Sequence, residues 1–168
     1  MKKTDKLLIV IVAGILLLVV IAFVVALNKP KPTYQAEDTP EGVAFNYLFA
    51  LQQNDYDRAY GYLSPLIKGY PKDAEAFTDD IRDHSWTFNR LDDSSTTVEV
   101  ESVKLNGKRA DVKILETRFY EGDLFDSGTY TSSFDITLRQ DENGTWKIVD
   151  SDNYWVNCWD APSGYECK

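Results

Sequence analysis

The chain has 168 residues, 18 of them Lys or Arg and 27 Asp or Glu, for a formal net charge of −9 at neutral pH. Such a surplus repels nucleic acid and anionic headgroups, so no nucleic-acid partner is expected. Two cysteines and a single histidine leave too few ligands for a zinc site, and neither a metal nor a cofactor is expected.

The first element is Leu7–Leu27, LLIVIVAGILLLVVIAFVVAL, an uncharged apolar run. As a helix it would span roughly 30 Å, the thickness of a bilayer core. It has no polar face to show to water. Lys2, Lys3 and Lys6 precede it, and Lys29 and Lys31 follow it. This modest bias puts residues 1–6 in the cytoplasm and the rest outside, as a single-pass cell-membrane protein with an extracytoplasmic C-terminal domain. The competing reading is secretion after cleavage of a signal peptide. Against it, the run exceeds the usual apolar region of about 7–15 residues. Val24-Val25-Ala26 also lacks an Ala-x-Ala cleavage pattern. Setting aside Lys2, Lys3, Lys6 and Asp5 leaves 15 basic and 26 acidic residues, near −11 for the exported part. Its length suits one domain, not two.

Residues 28–38, NKPKPTYQAED, read as an extended spacer. Thr39-Pro40 opens a first helix, Thr as N-cap and Pro at the first helical position. Its apolar face is Ala44, Tyr47, Leu48 and Leu51. Asp55 caps a second helix, Tyr56–Leu63, which Ser64-Pro65 stops. Asp73 caps a third, Ala74–Asp83, with Ala74, Phe77 and Ile81 inward.

The period then becomes strand-like. Trp86–Leu91 reads as a short strand, followed by a turn over Asp92–Ser95. Thr96–Leu105 is a strand whose inward set shifts from Val98 and Val100 to Val103 and Leu105, which predicts a bulge near Glu101-Ser102. Asn106-Gly107 is a hairpin signal. Arg109–Tyr120 returns with Ala110, Val112 and Ile114 inward, then Leu115, Thr117 and Phe119, a second shift of parity. Glu121–Gly128 connects to a strand in which Tyr130, Phe134, Ile136 and Leu138 alternate. Asp141–Gly144 turns the chain into Thr145–Asp150, with Trp146 and Ile148 on one face.

The predicted class is α+β: an N-terminal transmembrane helix, then three helices packed on a curved, bulged antiparallel sheet of four to five strands. The predicted organisation is a cytoplasmic tail over 1–6, an anchor over 7–27, a spacer over 28–38, a domain over 39–150 and a C-terminal tail over 151–168. In an exported chain Cys158 and Cys167 read as a disulfide stapling that tail. Tyr154, Trp155, Trp159 and Tyr165 around it read as a lid over the domain, with a contact surface as the alternative.

The helical stretch TPEGVAFNYLFALQQNDYDRAYGYLSP and the closing strand GTWKIVDSD resemble the nuclear transport factor 2-like, or cystatin-like, conical superfamily. Its membrane-anchored bacterial proteins of unknown function resemble this chain most. The resemblance covers residues 39–150. It implies a sheet curled around a cone-shaped cavity that faces the helices and often holds a ligand or an active site. Enzymes of the fold, such as isomerases and dehydratases, place acidic, His or Tyr groups there.

On that basis His84, Asp83, Tyr47 and Tyr130 are the catalytic candidates. A capping role at a helix C-terminus is sufficient to explain His84. No pair of carboxylates in an apolar pocket is evident, because the acids lie mainly in turns or alternate outward on strands. Tyr47, Trp86, Phe88, Tyr130, Phe134 and Trp146 could line a pocket, and filling the core explains them as well. No phosphate-binding Gly loop, Gly-x-Ser-x-Gly or His-Glu-x-x-His occurs. Asp141–Gly144 and Asp150–Asn153 lack the spacing of a calcium loop and read as turns. Asn143-Gly144-Thr145 is a glycosylation sequon at a hairpin tip.

The expected function is a membrane-anchored, extracytoplasmic, non-enzymatic binding or assembly module. Its partners would be the membrane through Leu7–Leu27 and a small apolar ligand or a protein, with a homodimer left open. The periplasmic core component of type IV secretion systems resembles the layout, as an analogy of architecture. The alternative is an isomerase- or dehydratase-like enzyme acting on a small apolar substrate.

Overall fold

The computed structural model describes residues 3–27, 32–88, 91, 95–120, 128–156 and 159. They divide into two compact units, Met1–Thr33 and Tyr34–Lys168.

The first unit is helix α1, Lys3–Leu27. Its described side chains run from 8 to 24 and are exposed throughout. Among the described residues no helix is long and apolar enough to cross a membrane.

The second unit is α+β. Helices α2 (Pro40–Gln52), α3 (Tyr56–Gly61), α4 (Ala74–Asp83) and α5 (Ser85–Phe88) precede strands β1 (Thr96–Asn106), β2 (Arg109–Tyr120), β3 (Gly128–Gln140) and β4 (Trp146–Ser151). The strands form one antiparallel meander in the order β1-β2-β3-β4. Thr39 caps α2 by accepting the Gly42 amide, Asp55 caps α3 and Asp73 caps α4. The expected start signals all operate. Helix α3 ends two residues early, because Leu63 leaves it to bridge Ile148 on the outer edge of β4.

Helix α2 packs against all four strands. Its predicted face, Ala44, Tyr47, Leu48 and Leu51, is buried against the sheet's inner row of Val98, Ala110, Val112, Ile114, Phe134, Ile136, Leu138 and Ile148. Its other side is buried too. The segment Tyr34–Asp38, expected as part of a free spacer, lies across α2 and α3. Asn46 clamps it by accepting from the Gln35 amide at 2.7 Å and donating to the Gln35 carbonyl at 2.9 Å. Tyr34 packs edge-on against Phe49, 4.9 Å between ring centroids. A Cβ on Gly42 would stand 1.9 Å from the Ala36 carbonyl oxygen, so only glycine permits this approach. Tyr34–Asp38 therefore belongs to the folded unit and not to the spacer.

Two expectations about the sheet need correction. Among the described residues the predicted strand Trp86–Leu91 does not form: Ser85–Phe88 is a helical turn that follows α4. Phe88 and Leu91 are buried, three residues apart, whereas Trp86 is 74% exposed, so the working period is three and not two. The bulge in β1 lies where expected, between Val100 and Ser102. The second shift of parity, in β2, does not occur. Strand β2 stays in unbroken register with β3 from Arg109↔Arg139 to Tyr120↔Gly128. The other bulge belongs to β4, where the register slips between Thr137↔Asp150 and Leu138↔Ile148. The β1–β2 loop is Gly107-Lys108, with positive φ only at Gly107, the II′ pattern.

Candidate functional site

An unbulged β2 alternates strictly, so the face that carries Ala110, Val112 and Ile114 continues with Glu116 and Arg118. Glu116 is consequently on the inner face, paired across the sheet with Val98 and Ser132, and is 0% exposed. Glu116 is thus an exception to the expectation that the acids lie mainly in turns or alternate outward. Leu115 and Thr117 are only half-buried on the other face, and Phe119 is exposed.

A buried carboxylate needs partners. Arg118 Nε donates to Glu116 Oε1 in a half-buried ion pair. Arg118 Nη2 reaches the Tyr154 hydroxyl at 3.4 Å. Tyr154 comes from the segment after β4. The Asp152 amide donates to the Asp135 carbonyl at 3.1 Å, and Asp152 Oδ2 accepts the Asp135 amide at 3.1 Å. Ser151 Oγ donates to the Asn153 carbonyl at 2.7 Å. These bonds turn the chain, and Tyr154 adopts a left-handed φ of 55°. A non-glycine residue there costs about 1–2 kcal/mol. The cost is offset by burial of the ring, which stands edge-on to Phe134 at 5.7 Å, while the Tyr154 carbonyl accepts from Tyr47 Oη at 2.8 Å. Burial first, then the charge of Glu116, pushes the Tyr154 phenol well above its ordinary range. Burial alone does the same for Tyr47.

Five residues on lies Trp159. It is 1% exposed, as is Tyr154, and its ring meets Phe77 at 5.0 Å, Trp155 at 5.4 Å and Phe88 at 6.1 Å. Gly69, with φ of 66°, lets the loop after α3 come up to the tail backbone; a Cβ there would stand 2.2 Å from the Trp159 carbonyl oxygen. Among the described residues, Glu116 Oε2 and Trp159 Nε1 are buried side-chain atoms without a hydrogen bond. Among the described residues Tyr154 and Trp159 therefore belong to the buried core under the inner face, and Tyr154 joins Glu116 and Arg118 in one cluster. Among the described residues the carboxylate is fully buried.

The predicted site residues are dispersed. His84 is buried at the C-cap of α4, its Nδ1 2.8 Å from the Asp80 carbonyl oxygen, a capping geometry. Asp83 is exposed beside it. Tyr130 pairs with Arg118 across β2 and β3 but is 61% exposed. Of the suggested lining residues, Tyr47, Phe88, Phe134 and Trp146 are core, and Trp86 is on the surface. Cys158 and Cys167, and with them the disulfide, lie outside the described residues, as does Tyr165. Sequence reasoning missed Glu116 and Arg118. The signal for them was the phase already set by Ala110, Val112 and Ile114.

No family model matches the chain, and no curated protein sequence matches it. Solved structures to which it is similar include an NTF2-like protein with a cystatin-like fold from Novosphingobium aromaticivorans, with 14% identity, a TM-score of 0.45, and 66% of this chain and 75% of that one covered. Another is a nuclear transport factor 2-like superfamily protein from Salmonella enterica, with 13% identity, a TM-score of 0.41, and 74% and 94% covered. A third is a proposed ketosteroid isomerase from Shewanella frigidimarina, with 17% identity, a TM-score of 0.48, and 69% and 95% covered. The likeness to these structures is one of fold.

Proposed function

We propose that this chain is a single-pass, membrane-anchored module whose folded domain lies outside the cytoplasm and acts by binding, not by turnover. The observation that carries the reading is the filled inner face. Tyr154 and Trp159 occupy it, and Glu116 is engaged by Arg118. An enzyme of a conical fold needs open space at that place. The anchor rests on the apolar run Leu7–Leu27 and the lysines before it.

A second reading, an enzyme acting on a small apolar substrate, has one observation in its favour. Glu116 Oε2 is a buried carboxylate oxygen with no hydrogen bond. It requires the tail to move aside.

The test is made on the full chain in its membrane. Alkaline phosphatase fused after Lys168 should be active, the protein should resist alkaline carbonate extraction, and its mass should include Met1–Leu27. An inactive fusion or release by carbonate overturns the anchored, exported reading, and a mass lacking the first residues replaces it with secretion. A native mass spectrum from detergent then separates binding from turnover. A protein partner or a second copy supports the module; a small molecule whose retention needs Glu116 supports the enzyme.

A further inference from the structure

At the far end of the sheet from Glu116, the loop Ser64–Leu66, the β1–β2 turn and the β3–β4 turn enclose a cleft of about 330 Å³. That volume is at the lower end of small-ligand sites. Lys108, Arg139 and Lys147 line it together with Asp141 and Glu142, and Pro65 and Leu66 form an apolar wall. Leu66 is 84% exposed, the most exposed large apolar side chain of the folded unit among the described residues.

The register explains why the cations converge. Arg109, Arg139 and Lys147 stand directly opposite one another on β2, β3 and β4. Like charges in such a row repel. Arg109 is relieved by Asp111, to which it donates from Nε at 3.1 Å and from Nη2 at 2.9 Å. Lys147 is held by the Gly61 carbonyl at 2.5 Å. Asp141 Oδ1 accepts the Asn143 and Thr145 amides at 2.8 and 2.9 Å, so it serves its own turn. Among the described residues, neither Lys108 nor Arg139 forms an ion pair. Three cations against two carboxylates leave the cleft a surplus of one positive charge, in a chain of net charge −9, beside an exposed apolar wall.

We infer that this cleft binds a small organic anion, with one carboxylate or phosphate between Lys108, Arg139 and Lys147 and an apolar body against Pro65 and Leu66. The inference goes beyond the proposed function and holds whether or not the chain is anchored. Arg139 supplies a fork suited to either headgroup, and Lys108 supplies a flexible point charge.

The experiment titrates the isotope-labelled full chain, in uncharged detergent micelles, with 4-phenylbutyrate, with phenyl phosphate, and with neutral 4-phenylbutanol. The expected result is saturable amide shifts clustered at Leu66, Lys108 and residues 139–142 with one or both anions. Binding of only one of them supports the site and identifies its headgroup. Phenylbutanol should bind about 10-fold more weakly or not at all, and Arg139→Gln should weaken the anion about 10-fold. Arg109→Gln, whose charge is committed to Asp111, should change it less than about 2-fold. Equal binding of the alcohol, shifts scattered over the chain, no saturable shift with either anion, or an Arg139→Gln protein that binds like the parent would overturn the site.

Discussion

Two segments close this domain, and both bring a tyrosine to a Glu–Arg pair. At the front, Tyr34–Asp38 delivers Glu37 to Arg58 at 2.8 Å and to the Tyr62 hydroxyl at 2.7 Å, with the Arg58 guanidinium 3.4 Å above the Tyr34 ring. At the back, the residues after β4 deliver Tyr154 to Glu116 and Arg118. The groups are the same and the surroundings are opposite. The front cluster is half-exposed, so water screens it and each contact is worth little. The rear cluster has a fully buried carboxylate, whose desolvation cost only its partners offset. The front segment is thus a strap held by many small contacts, whereas Tyr154, Val156 and Trp159 of the tail are part of the core.

The sharpest way to test that contrast is to remove one large side chain from the tail. Trp159→Ala should destabilise the chain by about 3–5 kcal/mol, read by chemical unfolding in detergent. A loss below about 1 kcal/mol would mean that the tail is a contact surface and not core. Arg118→Ala should cost a similar amount, about 3–5 kcal/mol, by stranding Glu116. The double change Glu116→Leu with Arg118→Met should recover most of it, and failure to recover would show that the cluster does more than neutralise itself.

The glycines come next. Gly69→Ala combines a left-handed φ with a clash against the Trp159 backbone and should cost about 1–3 kcal/mol. Gly42→Ala should release the strap, seen as proteolysis before α2 while the core stays folded.

The smallest effect belongs to the strap's charges. Glu37→Gln should cost no more than about 1 kcal/mol. Hydrogen bonds from Arg58 and then Tyr62 hold the Glu37 carboxyl below its ordinary range. Its contribution is therefore present above about pH 4.3, the unfolded value, and is lost as pH falls through the lower folded one. Tyr62 is pushed up to about 12 by burial first and Glu37 second. Its neutral form contributes below about pH 10 and that contribution is lost as pH rises through the folded value. Strap docking, followed by Tyr34 ring signals, should loosen at both ends of the pH scale and hold between. Docking that persists unchanged into acid would mean that Asn46, not Glu37, secures it.

How far the chain could be read depended on how local each signal was. Thr39, Asp55 and Asp73 declare their helices because a cap acts within three residues. Val98, Val100 and Val103 show the β1 bulge because the same strand carries both phases. Trp86 misled because alternation over three residues cannot separate a strand from a helical turn. Leu115, Thr117 and Phe119 misled because they mimic an inward face near the end of a strand, where the outer face is itself half-covered. The candidate site suffered most, since Glu116 looks like an outward acid until the register with β3 is known.

By itself, then, the sequence determined the apolar run, the acidic surplus, the helix starts, the hairpin turn and the α+β order, all matters of composition or of contacts within a few residues. Only the tertiary structure decided that Tyr34–Asp38 is a strap, that Tyr154 and Trp159 fill the inner face, that Glu116 is buried, and that Lys108, Arg139 and Lys147 share a cleft. Each of these joins residues distant along the chain, and burial and register are properties of the packed sheet, not of any stretch within it.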